Sequence, residues 1–148
     1  MENTMQYRTI PHVPVPVSPI FFGTAMMPFL AGGDGSDLLD EIFALGITAF
    51  DTARNYGGAE ESLGRWIESR GVRDRIVVLS KCGHPNLLGM KRVSEKEMRK
   101  DLQKSLSLLR TDRIDIYLLH RDDPDVPVGT IVEVFNAMHA EEIGRAHV

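Results

Sequence analysis

Ile47-Thr48-Ala49-Phe50-Asp51-Thr52-Ala53-Arg54-Asn55-Tyr56-Gly57 sets the pattern that the rest of the chain repeats. The short apolar run Ile47-Thr48-Ala49-Phe50 reads as a strand and delivers a carboxylate, Asp51, at its end. A phenol, Tyr56, follows five residues later on a turn punctuated by Gly57 and Gly58. Two later strands finish in the same manner. Arg75-Ile76-Val77-Val78-Leu79-Ser80-Lys81 is a near-continuous apolar run, as expected of a strand covered on both faces, and it ends in an ammonium. Ile114-Asp115-Ile116-Tyr117-Leu118-Leu119 leads into His120.

Helical patterns fill the intervals. Residues 37–45 place Leu38, Leu39, Ile42 and Leu45 on one face, with Ser36 or Asp37 expected as the cap and Gly46 as the left-handed stop. A second helix, about 59–69, should bury Leu63, Trp66 and Ile67. Ser94 and Glu97 predict a capping box for a third, 94–110, whose Met98, Leu102, Leu106 and Leu109 recur at helical spacing. A fourth is expected from about 129 to 141. Upstream, Pro11, Pro14, Pro16 and Pro19 forbid a long central strand and leave room for short edge strands or a hairpin. Ile20-Phe21-Phe22 then runs as a buried strand into Gly23-Thr24. The order β-α-β-α-β-α-β-α predicts an α/β fold with a parallel sheet. A barrel and an open doubly wound sheet both put their chemistry on the rim where strands meet the following helices. Periodicity alone leaves that choice open.

Bulk composition narrows the function classes. The 148 residues suffice for one domain with a real core. The net charge of −4 comes without a basic cluster, which argues against nucleic acid as a partner. No apolar stretch approaches the roughly 20 residues that span a bilayer, and the N-terminus lacks the basic start and apolar centre of a signal peptide. The single cysteine, Cys82, cannot form an internal disulfide. A soluble protein of the reducing cytoplasm is the expectation. Gly-x-Gly-x-x-Gly after the first strand and the Gly-x-x-x-x-Gly-Lys phosphate loop are both missing from the sequence.

Asp51, Tyr56, Lys81 and His120 together describe a coherent chemistry. A phenol near pKa ~10 is a poor proton donor to a carbonyl at neutral pH. A neighbouring ammonium stabilises the phenolate, and a carboxylate keeps that ammonium in place and charged. An imidazole then orients the carbonyl oxygen. The set suits carbonyl reduction, with hydride supplied by a nicotinamide cofactor because no side chain donates hydride. Taken singly, each residue has an ordinary explanation: a cap, turn packing, a solvated strand end, a structural histidine. Four of them on three successive strand ends carry the reading. Cys82 reads as a small buried thiol, His84 and His139 lack metal-ligand spacing, and the acids at 122, 123 and 125 read as a solvated loop.

The chain resembles the aldo-keto reductase family. The hallmark is similar to Gly46-Ile47-Thr48-Ala49-Phe50-Asp51-Thr52-Ala53, then Tyr56-Gly57, then Glu61-Ser62-Leu63-Gly64. Ser80-Lys81 resembles the family's lysine-bearing third strand, and Asp112-Arg113-Ile114-Asp115-Ile116-Tyr117-Leu118-Leu119-His120 its histidine-bearing fourth. Leu119-His120-Arg121-Asp122-Asp123-Pro124 looks more like the bacterial branches related to potassium-channel β-subunits than like the aldose reductases. The resemblance implies a (β/α)8 TIM barrel that uses NADPH or NADH to interconvert small carbonyls and alcohols. Tyr56 would be the general acid, with Lys81 and Asp51 tuning it and His120 positioning the carbonyl. Gly23, Thr24 and Asp51 would approach the nicotinamide. A nucleotide-sensing regulatory subunit that acts through a partner is the alternative that the resemblance leaves open, and oligomeric state stays unassigned.

Two departures concern local structure: the turn from Tyr56 to Glu61 is tight, and Arg110 stands where the family usually has a left-handed glycine. A third concerns length. Family members run about twice as long, so residues 1–141 are expected to be the N-terminal half of a barrel, and the isolated chain to be poorly active. The usual clamps for the nicotinamide amide and adenosine phosphate lie in the other half. Residues 142–148 are what GAG-ATC-GGA-AGA-GCA-CAC-GTC encodes, a common sequencing-adapter read, and are expected to be foreign to the gene.

Overall fold

A computed structural model of the chain describes residues 5–141; the terminal segment 142–148 and its expected foreign origin lie outside the described residues. The elements follow the alternating order: β1 (Phe21–Gly23), α1 (Ser36–Ala44), β2 (Ala49–Asp51), α2 (Ala59–Arg70), β3 (Val77–Cys82), α3 (Glu95–Leu109), β4 (Ile116–Leu119) and α4 (Val128–Ala140). The four strands form one parallel sheet in the order β1-β2-β3-β4. Each strand therefore lies beside its sequence neighbour, with a helix returning the chain between them.

Strand alternation separates two apolar layers. Phe22, Phe50, Val78, Cys82 and Tyr117 face the helices and join Leu39, Leu63, Trp66, Met98, Leu102 and Met138 in the larger core. Phe21, Ala49, Val77 and Ile116 face the other way and pack against Val13, Val15 and Val17 of the proline-rich N-terminal segment. That segment makes only a minimal hairpin, a single antiparallel bridge from Arg8 to Val17, as prolines at every second or third position would dictate. Ser18 and Thr48 fasten it to β2, the Ser18 N–H donating to Thr48 Oγ1 at 3.0 Å and the Thr48 N–H to Ser18 Oγ at 3.1 Å. The inward face of the sheet is thereby plugged at its lower end and left open at its carboxyl rim.

Several local details differ from the sequence reading. The N-cap of α1 is Gly35 rather than Ser36 or Asp37, and Asp34 just outside it accepts the Ser36 N–H on Oδ1 at 2.9 Å. Strand β3 begins at Val77 because Arg73–Arg75 closes a 3-10 turn. Strand β4 begins at Ile116, one residue after Asp115 turns its buried carboxylate back to accept the Val78 N–H at 2.8 Å and pair with Arg73 at 2.8 Å. Ser94 caps α3 by accepting the Glu97 N–H, yet Glu97 answers through the Ser94 hydroxyl at 3.0 Å instead of its backbone. Arg110 does adopt the left-handed conformation, φ +53°, and its guanidinium pairs with Glu68 of α2. Helices α2 and α3 can approach this closely because of Gly64, where any Cβ would lie 2.2 Å from the Leu108 carbonyl oxygen.

Candidate active site

Parallel register decides which side chains share the open rim. Asp51 pairs with Leu79 across β2 and β3, so Lys81, two residues further along, emerges on the same face one step higher. Its ammonium reaches back to donate to Asp51 Oδ1 at 2.6 Å and to the Thr52 carbonyl at 2.9 Å. It also donates to the Tyr56 hydroxyl at 3.4 Å and lies 4.9 Å from the centre of the phenol ring. The pair is part-buried, with 15% of the lysine and 28% of the aspartate side chain exposed, so solvent screens it only in part.

The turn that presents Tyr56 is seated on the 3-10 turn Phe29–Ala31. The Gly58 N–H donates to the Leu30 carbonyl at 3.0 Å, and a Cβ at Gly58 would come within 2.4 Å of Gly32. Gly57, at φ +55°, passes over the same carbonyl. Two glycines thus let the loop lie flat, which is why it is as short as expected.

His120 completes the group. Its ring stands edge-on to Tyr56 with centroids 5.5 Å apart, and the His120 backbone N–H donates to the Cys82 carbonyl at 2.7 Å. Burial holds the imidazole below the ordinary histidine value, with His84 and Lys81 pushing the same way and Asp51 opposing them. That shift favours the neutral ring, and its buried Nδ1 has no hydrogen-bond partner among the described residues. The four predicted catalytic residues come together.

The three residues expected at the cofactor separate. Gly23 lies on the exposed rim, and a Cβ there would meet nothing within 4 Å. Asp51 is half-open beside it, the two being register partners. Open space over a glycine next to a charged rim fits a flat ring such as a nicotinamide. Thr24 is fully buried, and both its N–H (2.9 Å) and its hydroxyl (3.0 Å) donate to the Asp51 carbonyl. Its contribution is to hold the end of β2 in place.

One buried residue was missed by the sequence reading, which quoted only Glu61, as the start of the segment Glu61-Ser62-Leu63-Gly64. Glu61 is on the surface, 51% exposed and 3.5 Å from Arg65. Glu60 is fully buried; it accepts from the Ser80 hydroxyl at 2.7 Å and from Arg54 at 2.5 Å. Since Ser80 precedes Lys81 and the Arg54 N–H donates to the Lys81 carbonyl at 3.1 Å, Glu60 braces the lysine from behind the sheet. The signal was in the sequence: Glu60, Leu63 and Ile67 fall on one helical face.

Other candidates resolve as structure. Cys82 is buried and its thiol pushed up to about 12, chiefly by burial. The acid-rich segment is not simply solvated: Asp123 is 13% exposed and, with Asp125, takes Lys91 from the loop after β3. The described residues hold no cluster of three or more His, Cys, Asp or Glu placed for a metal ion, and no helix among them is long and apolar enough to cross a membrane.

Comparison with known proteins gives a consistent answer. The pattern of the Aldo/keto reductase family matches residues 19–142. Aldo-keto reductase YhdN of Bacillus subtilis is 31% identical over 144 residues, covering 91% of this chain and 44% of its own. Protein tas of Escherichia coli is 31% identical over 134 residues, 78% of this chain and 38% of its own. Among solved structures, an aldo-keto reductase of Bacillus halodurans in its holo form superposes with a TM-score of 0.78 at 28% identity, covering 96% of this chain and 49% of its own. The solved relatives are (β/α)8 barrels, and the four βα units described here correspond to about half of one. The chain likewise spans less than half the length of the curated relatives it matches.

Proposed function

The chain belongs to the aldo-keto reductase family, and from that premise we propose that the whole protein is a cytoplasmic oxidoreductase that reduces small aldehydes or ketones with NADPH or NADH. The observation that carries the reading is the Lys81 ammonium held between the Asp51 carboxylate at 2.6 Å and the Tyr56 hydroxyl at 3.4 Å. When bound, the dihydronicotinamide supplies hydride. Every other contribution comes from the side chains of the rim.

Tyr56 is the proton donor to the carbonyl oxygen. Lys81 stabilises the negative charge left on the phenol oxygen once its proton has gone, and it acts at 3.4 Å in a site only partly open to water. Asp51 fixes the ammonium and balances its charge in the resting site. His120, neutral and edge-on to Tyr56, orients the carbonyl from the other side without competing as an acid. Gly23 leaves the space into which the cofactor ring fits, and Asp51 borders it.

The test is Tyr56→Phe in the whole protein, assayed by carbonyl-dependent loss of nicotinamide absorbance. Loss of a general acid lowers turnover by about a hundredfold or more, while cofactor binding, followed by fluorescence titration, stays unchanged. Full turnover in the variant would remove Tyr56 from its role.

A further inference from the structure

A polar pocket of about 180 Å³ lies beside the catalytic rim, lined by Arg54, Asn55, His84, Arg92 and Asp101. It is formed by the loops that follow β2 and β3 together with α3. His84 connects it to the reacting groups: its ring stands 4.8 Å from that of His120, which is itself 5.5 Å from Tyr56. Two ring contacts therefore separate the pocket wall from the phenol.

The wall offers uncommitted donors on Arg54, Arg92 and Asn55, against two free acceptors among the described residues, Asn55 Oδ1 and His84 Nε2. One oxygen of Asp101 takes Arg92 Nη2 at 2.7 Å and the other takes the Gly83 N–H at 3.1 Å, so both are engaged. Arg54 commits only Nη1, to Glu60, and Arg92 commits Nη2 and, at 3.3 Å to Glu97, Nε. Arg54 Nε and Nη2, Arg92 Nη1 and the Asn55 amide have no partner among the described residues. His84 Nδ1 sits 2.8 Å from the Pro85 carbonyl, which can only accept, so that nitrogen carries the proton and Nε2 is left uncommitted. Asp101 within the lining and Glu60 and Glu97 behind it balance the arginine charges, so what the pocket offers a ligand is uncommitted N–H donors rather than net positive charge. A ligand placed here meets chiefly donors, and the open Nε–Nη2 fork of Arg54 with Arg92 Nη1 beside it suits a planar or tetrahedral oxyanion.

Size sharpens the assignment. Whole-ligand sites run to roughly 300–1,000 Å³; a pocket of about 180 Å³ holds one functional group and not an entire substrate. We infer that this pocket receives a carboxylate or phosphate carried by the carbonyl substrate, so that the substrates are anionic aldehydes or ketones whose charged end is gripped here while the carbonyl lies against Tyr56. The part concerning the carbonyl rests on the reductase reading above; the oxyanion site itself does not.

The experiment is a binding titration of the full chain, which needs no turnover. Inorganic phosphate, 4-oxobutanoate, butanal and NADPH are each added while the side-chain NMR signals of Asn55, Arg54 and Arg92 are followed. The two anions are expected to shift these signals saturably and to compete with each other, whereas butanal leaves them in place. Arg92→Gln weakens 4-oxobutanoate about tenfold, the value of one charge-assisted hydrogen bond. Because Arg92 also supports Asp101, Asn55→Leu is the second variant; it removes a donor with no structural partner and should weaken the same ligand severalfold. Absence of saturation with both anions overturns the proposal. So does a shift produced by phosphate and NADPH but not by 4-oxobutanoate, which would assign the pocket to the cofactor. Anion binding that persists when Tyr56→Phe leaves turnover intact would fault the reductase mechanism and leave the pocket standing.

Discussion

Glu60 offers the most quantitative test of how the rim is held. Its carboxylate is fully buried and has two partners, the hydroxyl of a fully buried Ser80 at 2.7 Å and Arg54 at 2.5 Å. In Glu60→Ala the Ser80 hydroxyl loses its acceptor in a place water cannot reach, a cost of roughly 1–3 kcal/mol. Arg54 is 25% exposed and turns to solvent, so its share is screened and discounted to about 1 kcal/mol. The net loss is therefore about 3 kcal/mol, or on the order of 10 °C in Tm for a domain of this size. Glu60→Gln keeps an acceptor for Ser80 and gives up only the charge, so it should lose less than half as much. Trp66 is the only tryptophan and is fully buried, which makes its fluorescence in urea a direct assay. A loss below about 1 kcal/mol for the alanine variant would refute the brace, because such a value is that of an ordinary surface change.

Three further outcomes follow from particular contacts. Gly64→Ala forces a methyl to within 2.2 Å of the Leu108 carbonyl oxygen and should cost about 3 kcal/mol by prising α2 from α3; urea midpoints check it, and a neutral result would mean the two helices pack otherwise. Cys82, with its thiol pushed up to about 12, should resist thiol reagents at mildly alkaline pH in the folded chain and react at once in urea. His120 has its folded value depressed below 6.5, so the unfolded state binds the proton more tightly and stability declines as pH falls below 6.5, until the folded value is passed. Comparing unfolding midpoints of the protein and its His120→Gln variant across that range isolates the slope, and identical slopes would contradict the assignment.

The sequence by itself determined the elements and the residue types on the rim. Alternation of period two and period three to four is a local property, so strands β1 to β4 and helices α1 to α4 were legible to within a few residues. So was the placement of Asp51, Tyr56, Lys81 and His120 at strand ends, since a chain that must bury its apolar runs leaves polar residues where the runs stop. The left-handed Arg110 was expected only through the family resemblance, which puts a glycine there; the helical pattern alone ran through it. Tertiary structure decided the rest, because it depends on contacts between residues far apart in the chain. Register put Lys81 against Asp51 across 30 residues of sequence. It also turned Thr24 inward, chose Glu60 over Glu61 as the buried acid, and moved the start of β4 by drawing Asp115 to the backbone of β3. His84 shows the limit most clearly. Nothing in its sequence neighbourhood marks it, and only the parallel pairing of β3 with β4 brings it against His120 while it lines the arginine pocket.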